Sequence, residues 1–337
     1  MSALFDPIEP YETGRLPVGD GHVLYYERSG RRGGRPVVFL HGGPGSGAGA
    51  RHRRYYDPQH WDIILFDQRG CGRSTPFLSL EANTTAHLIA DLDVLRRHLG
   101  LERWTVFGPS WGSTLAIAYS QAFPETVEAL VVEAIFLGTR SECDWFHSRR
   151  GAGAIFPDAL ERLFDSVPDE ISANTQRFQR WALDQMMLEL AEGAPALDRL
   201  SPDTPLSQLE QSWLYRWSAY EERIAHLDRP PDQIRADFTA NGADWIKAHS
   251  LIEAWYFAHD CFLAPGELLA NAERLTLPVR IIHSRYDVVC PSRAAFHLAE
   301  AAPDARLEIV PSSGHIMTDQ AHALVVETFT ELSAEGR

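Results

Sequence analysis

Short, continuous apolar runs alternate with helical periodicity through the first third of the chain, the pattern of a mostly parallel sheet covered by helices. Val37-Val38-Phe39-Leu40 and Ile63-Ile64-Leu65-Phe66 are apolar at every position, which predicts strands buried on both faces. Between Asn83 and Gly100, Leu88, Leu92, Leu95 and Leu99 recur on one helical face; Asn83, Thr84 and Thr85 can cap its start, and Gly100 ends it. A strand at Thr105-Val106-Phe107, a helix from Thr114 to Phe123 stopped by Pro124, and a strand at Ala129-Leu130-Val131-Val132 follow. From about Gly138 to about Arg274 the β-runs vanish and six of the nine tryptophans appear, which predicts a helical insertion. Strand character returns at Val279-Arg280-Ile281-Ile282 and at Arg306-Leu307-Glu308-Ile309-Val310. The expected organisation is an α/β core in two parts, residues 1–137 and 275–337, interrupted by a helical cap over residues 138–274.

Composition narrows the function classes. With 337 residues, 45% of them hydrophobic and 23% charged, the chain can bury roughly 75% of its unfolded surface and needs no structural metal or disulfide. Its net charge of −15 argues against nucleic-acid and anionic-membrane partners. Lys247 is the single lysine among 31 basic residues, and no GK[ST] follows a glycine loop, so phosphate-cradle chemistry is excluded. Cys71, Cys143, Cys261 and Cys290 are widely spaced without CxxC, the usage of free thiols in a reducing compartment. The first residues carry acids and prolines where a signal peptide needs a basic start and an apolar run, and no run of 18 apolar residues occurs. A cytoplasmic location is expected.

Candidate chemistry centres on Gly108-Pro109-Ser110-Trp111-Gly112, a GxSxG placed between a predicted strand and a predicted helix. A serine on so tight a turn needs neighbours without a Cβ, and the helix start aims N–H groups at a developing oxyanion. Serine is a weak nucleophile and needs a histidine held by a carboxylate. Asp287 and His315 each stand just past a predicted strand, in the chain order Ser, Asp, His of the α/β-hydrolases. Rival acids Asp304 and Asp319 lie beside a turn or in the histidine loop, and His41, His297 and His322 read as a loop anchor and two helix-face residues. His41-Gly42-Gly43-Pro44-Gly45 matches the lipase-type oxyanion loop; Pro44 has no N–H, so Gly43 and Trp111 are the expected donors. No metal-ligand spacing is present, so no cofactor or metal is expected.

Taken together, Glu9-Pro10-Tyr11, Asp20-Gly21-His22, the His41–Gly45 loop, Asp67-Gln68-Arg69-Gly70-Cys71-Gly72-Arg73-Ser74, Asn83-Thr84-Thr85, Ser110-Trp111-Gly112-Ser113, Arg285-Tyr286-Asp287 and Gly314-His315 resemble the proline iminopeptidase (prolyl aminopeptidase) family of serine peptidases. The resemblance runs over nearly the whole chain. It implies an α/β-hydrolase fold with an inserted cap, release of an N-terminal proline from small peptides, and cap glutamates holding the substrate's free amine. By motif those acids are Glu221 and Glu253, with Phe136 and Phe257 lining the ring pocket. A cationic imine in a closed pocket does need carboxylates to offset its desolvation. Glu221, followed by Glu222 and Arg223, also reads as a solvated helix-face acid, whereas Glu253 stands among Leu251, Ile252, Trp255, Tyr256 and Phe257.

The chain departs from the family pattern at Pro109, at Tyr220-Glu221, at Ala254-Trp255 and at His147-Ser148 with Arg149 and Arg150. All but Pro109 lie in the cap, so they bear on substrate choice and leave the triad intact. Two alternatives stand beside the peptidase: a hydrolase of another small amide, ester or lactone, and a non-catalytic ligand-binding protein on the same fold. Cys290, three residues beyond Asp287, is expected to confer sensitivity to thiol reagents.

Overall fold

The computed structural model describes residues 4–335. Eight strands form one sheet: β1 (Pro10–Gly19), β2 (His22–Gly30), β3 (Arg35–Phe39), β4 (Trp61–Phe66), β5 (Trp104–Pro109), β6 (Val127–Glu133), β7 (Val279–Ser284) and β8 (Ala305–Val310). Their order is β1-β2-β4-β3-β5-β6-β7-β8, with β1–β2 and β2–β4 antiparallel and every other pairing parallel. The sequence predicts no strand before Val37, so the β1–β2 hairpin is an addition. β1 holds two prolines and two glycines, a composition tolerated only at a sheet edge, and the edge is where it lies.

Alternation along the central strands divides the core in two. Val38, Ile64, Val106 and Leu130 face one side, against α1 (Thr85–His98) and α2 (Trp111–Ala122), while Val37, Phe39, Ile63, Leu65 and Phe107 face the other, against Val325 and Phe329 of the C-terminal helix Asp319–Glu335. Covering both faces is what makes β4 buried at all six positions. α1 begins one residue after Thr84, whose hydroxyl meets His87 Nδ1 at 2.8 Å rather than a helix N–H. α2 starts at Trp111, three residues before the predicted Thr114.

Between β6 and β7 the described elements are all helical. Thr139 and Glu142 form a reciprocal capping box at the entry to this layer. Two of its helices carry the residues that matter below: Trp213–Ala225, capped by Ser212 Oγ accepting the Tyr215 N–H at 3.1 Å, and Ala243–Ala258, which is buried on nearly all sides. They approach closely where Ser218 and Ser250 meet at 2.5 Å, with Ser250 Oγ donating on to Leu214 O at 2.6 Å. Among the described residues no helix is long and apolar enough to cross a membrane.

Candidate active site

Ser110 joins β5 directly to α2 with φ 55° and ψ −127°, a left-handed-side conformation that a serine holds only where its surroundings force it. The glycines around it are fixed by close approach. A Cβ on Gly108 would lie 2.0 Å from Gly112 O, and one on Gly112 would lie 2.1 Å from Leu40 O. Both obstacles are backbone and cannot swing aside. Gly112→Ala is therefore expected to lower stability by about 3 kcal/mol, read as a reduced urea midpoint at unchanged m value.

Asp287 follows β7 and His315 follows β8, so both reach the carboxyl-terminal edge of the sheet where Ser110 stands. His315 Nδ1 lies 2.9 Å from Asp287 Oδ2 and 3.1 Å from Oδ1, and Asp287 Oδ1 also accepts the Cys290 N–H at 2.8 Å. The carboxylate thereby places the imidazole proton on Nδ1 and leaves Nε2 as a base. Among the described residues the Ser110 hydroxyl makes no hydrogen bond to His315, the usual looseness of such a pair before substrate tightens it. Cys290 is fully buried and burial pushes its thiol well up, so the expected sensitivity to thiol reagents is opposed by both access and ionisation.

Sequence reasoning missed Glu133, at the end of β6. Its backbone oxygen accepts the Ser110 N–H at 2.9 Å, and burial pushes its carboxyl up to about 8. At His315 burial works to lower the basicity, but the paired Asp287, with Glu133 and Glu221 adding to it, outweighs burial and pushes it up to about 9. The neutral base thus accumulates as pH rises. Inactivation of Ser110 by a neutral sulfonyl fluoride is expected to accelerate about tenfold per pH unit between about pH 6 and 8 and to level off near 9. A folded value above the unfolded one, about 6.5, means that the ion pair stabilises the fold fully below that pH and loses this contribution as pH climbs towards 9.

The oxyanion side is built from the His41–Gly45 loop and the start of α2. A Cβ on Gly42 would stand 3.5 Å from Ser110 Cβ and 3.9 Å from its Oγ, so this loop lies directly against the nucleophile. As the first residue of α2, Trp111 has an N–H that the helix cannot satisfy. His41 Nδ1–H donates to Gly42 O at 2.9 Å while its Nε2 accepts the Gln68 N–H at 3.0 Å, which fixes one tautomer and the plane of the Gly42–Gly43 peptide. Gln68 also donates through Nε2 to His41 O at 2.9 Å and accepts the Trp111 indole N–H at 3.0 Å. Gln68 therefore links His41, whose ring holds the Gly42–Gly43 peptide, to Trp111 at the start of α2. It lies in the Asp67–Ser74 motif, whose sequence gives no sign of the role.

In the helical layer the structure brings Glu221 and Glu253 together, each three residues beyond the serine that joins its helix to the other. Both are buried, so the solvated reading of Glu221 is overturned. His249, which sequence reasoning did not single out, contacts Glu221 through Nε2; Ser46 Oγ lies 3.1 Å from its Nδ1, and Trp245 stacks on it at 4.6 Å. Burial works to raise the Glu221 carboxyl, but the imidazolium beside it outweighs burial and holds it below the usual range; the same contact raises His249. Burial and the Glu221 charge together push Glu253, which accepts the Trp217 indole N–H, well up. Phe136 and Phe257 stand 5.8 Å apart, with Phe146 5.4 Å from Phe257. This cluster lies against the oxyanion loop, since a Cβ on Gly45 would come within 2.5 Å of Ala248 O.

The departures fall unevenly around this pocket. Trp255 donates its indole N–H to Asn83 O at 2.8 Å and packs on His259 and Phe262, outside the carboxylate pair. His147 is buried among Phe146, Phe178, Trp217 and Tyr220. Among the described residues two groups could hold a metal: Asp287, Cys290 and His315, and Glu221, His249 and Glu253.

Residues 35–321 match the family profile described as alpha/beta hydrolase fold. Over 320 residues the chain is 41% identical to a proline iminopeptidase of Xanthomonas citri, covering 94% of each chain. It is 40% identical over 318 residues to a proline iminopeptidase of Arabidopsis thaliana, covering 93% of this chain and 77% of that one. An esterase from Exiguobacterium antarcticum superposes with a TM-score of 0.62 at 19% identity, covering 99% of this chain and 100% of the other, and shows the fold. A strained serine between strand and helix, an Asp–His pair past the last two strands and full-length kinship of this degree lead to one conclusion: the chain belongs to the proline iminopeptidase family of α/β-hydrolases.

Proposed function

We propose that the protein is a prolyl aminopeptidase that releases an N-terminal proline from small peptides through an acyl-enzyme on Ser110. The observation that carries this reading is the buried pair Glu221 and Glu253, set among aromatic rings against the oxyanion loop. Two carboxylates in a dry pocket suit a small cation, and a blocked N-terminus would leave them uncompensated. Proline iminopeptidase is also the name borne by both relatives above.

In the proposed reaction the prolyl ring lies between Phe136 and Phe257, and its imine nitrogen meets Glu221 and Glu253. His315 takes the Ser110 proton as the oxygen attacks the prolyl carbonyl. The tetrahedral oxyanion is held by the Gly43 and Trp111 N–H groups. His315 then protonates the departing amine, and the same imidazole activates water to release proline and free Ser110, while Asp287 holds the tautomer throughout. No step calls for a cofactor. Nucleic acid and membrane have no place in this reaction, and four buried free thiols accord with a cytoplasmic enzyme. The helical layer over residues 138–274 would act as the cap that selects substrate.

The test is hydrolysis of a proline anilide with a free imine, beside its N-acetylated form and a simple acyl ester, with Ser110→Ala as the blank. Fast Ser110-dependent cleavage of the free form is expected, with the acetylated form and the ester turned over only slowly. Turnover of the ester alone would leave the triad standing and select the hydrolase of another small substrate; no turnover at all would select the non-catalytic binding protein.

A further inference from the structure

The proposed reaction leaves His249 unused. We propose that Glu221, His249 and Glu253 form a three-ligand site for a divalent transition-metal ion such as Zn²⁺, and that this ion competes with the substrate's ammonium for the two carboxylates; the competition rests on the function proposed above, the binding does not.

Geometry is the first argument. One donor atom from each residue lies within 4.8 Å of the others, and all three residues are buried. His249 and Glu253 are four residues apart on one helix and Glu221 comes from a second, so the donors stand on rigid elements rather than loops.

Donor chemistry is the second. One imidazole and two carboxylates suit zinc and its first-row neighbours better than calcium or magnesium. Two carboxylates and a neutral imidazole also balance a double positive charge, so the dry pocket would carry no net charge with the ion in place.

The third is that the donors are already held as metal ligands are held. His249 Nδ1 meets Ser46 Oγ at 3.1 Å, its ring is clamped by Trp245 at an interplanar angle of 11°, and Glu253 accepts the Trp217 indole N–H. Without an ion, protons fill the gap: His249 contacts Glu221 as its counter-charge. A divalent ion replaces those protons. It would also sit where the imine nitrogen must go.

The test is calorimetric titration of the metal-free, full-length protein with Zn²⁺ at about pH 7.5, with equilibrium dialysis for stoichiometry. One ion per chain is expected. His249→Leu should weaken binding by more than the roughly 10- to 100-fold that loss of an outer partner brings, and Ser46→Ala should fall within that range. Thermal unfolding checks that each variant is folded, and His249→Gln stands in if the leucine variant is not. Cys290→Ser should leave the affinity unchanged. The metal site is overturned if Zn²⁺ does not bind, if binding survives both His249 substitutions, or if it is lost in Cys290→Ser, which would move the ion to the triad. Excess proline amide should weaken Zn²⁺ binding to the unaltered protein. If it does not while the variants behave as expected, the competition and the amine role of Glu221 and Glu253 fall, and the metal site stands.

Discussion

Ser110→Ala is expected to lower kcat/KM for a free prolyl anilide by about 10⁶-fold, and Asp287→Asn by about 10⁴-fold, both read against active-site-titrated enzyme. The first removes the atom that attacks. What remains is the pocket and the N–H groups of Gly43 and Trp111, whose orientation comes from His41 and Gln68 and survives the substitution. The second leaves nearly the same shape but changes the proton. Asparagine can turn its amide toward His315 Nδ1, which favours the tautomer with the proton on Nε2 and disables the base. Asp287 Oδ1 also receives the Cys290 N–H, and the asparagine oxygen can keep that bond, so the loop should stay in place. The loss for Asp287→Asn should therefore lie in kcat with KM little changed. An effect smaller than about tenfold would mean that another acid serves His315, and Glu133, buried beside the pair, is the group to substitute next.

Glu253→Gln is expected to cost about 2 to 5 kcal/mol of transition-state binding for the free imine, roughly 30- to 5000-fold in kcat/KM, while an N-acetylated ester changes less than about threefold. Glutamine keeps the shape and can still accept the Trp217 N–H, so only the charge is lost. Because burial and Glu221 already favour the protonated acid when the pocket is empty, the resting protein should lose little stability. Glu221→Gln should differ: it strands the buried His249 cation as well as weakening amine binding, so it should lower the unfolding midpoint more than Glu253→Gln does. Thermal unfolding and the ratio of free to acetylated turnover, measured on both variants, separate the two roles. An unchanged ratio would remove the pair from substrate recognition.

The site residues differ in how far a linear sequence can reveal them. Ser110, Asp287 and His315 are legible because triad chemistry demands those residue types at strand ends in that order. β4 is legible because a strand covered on both faces reads as a near-continuous apolar run, broken here only by Asp62. β1 is not, since prolines and glycines at a sheet edge look like a loop. The start of α2 is misplaced because Trp, Gly and Ser are poor helix formers; the strained turn at Ser110 begins the helix regardless of their preference. Gln68 and His249 meet Trp111 and Glu221 at 43 and 28 residues' distance along the chain, and no local motif marks them.

The helical layer is entered at Gly138, and Cys261, near its far end, returns to touch that point: a Cβ on Gly138 would lie 3.2 Å from Cys261 Cβ. A segment whose two ends meet can be lifted out and another grafted in without rerouting any strand. Such a graft would carry Glu221, His249 and Glu253 away together while leaving Ser110, Asp287 and His315 behind. Recognition and bond cleavage can then be inherited separately, so a new specificity can arrive by recombination at one neck in the chain rather than by many substitutions spread through it.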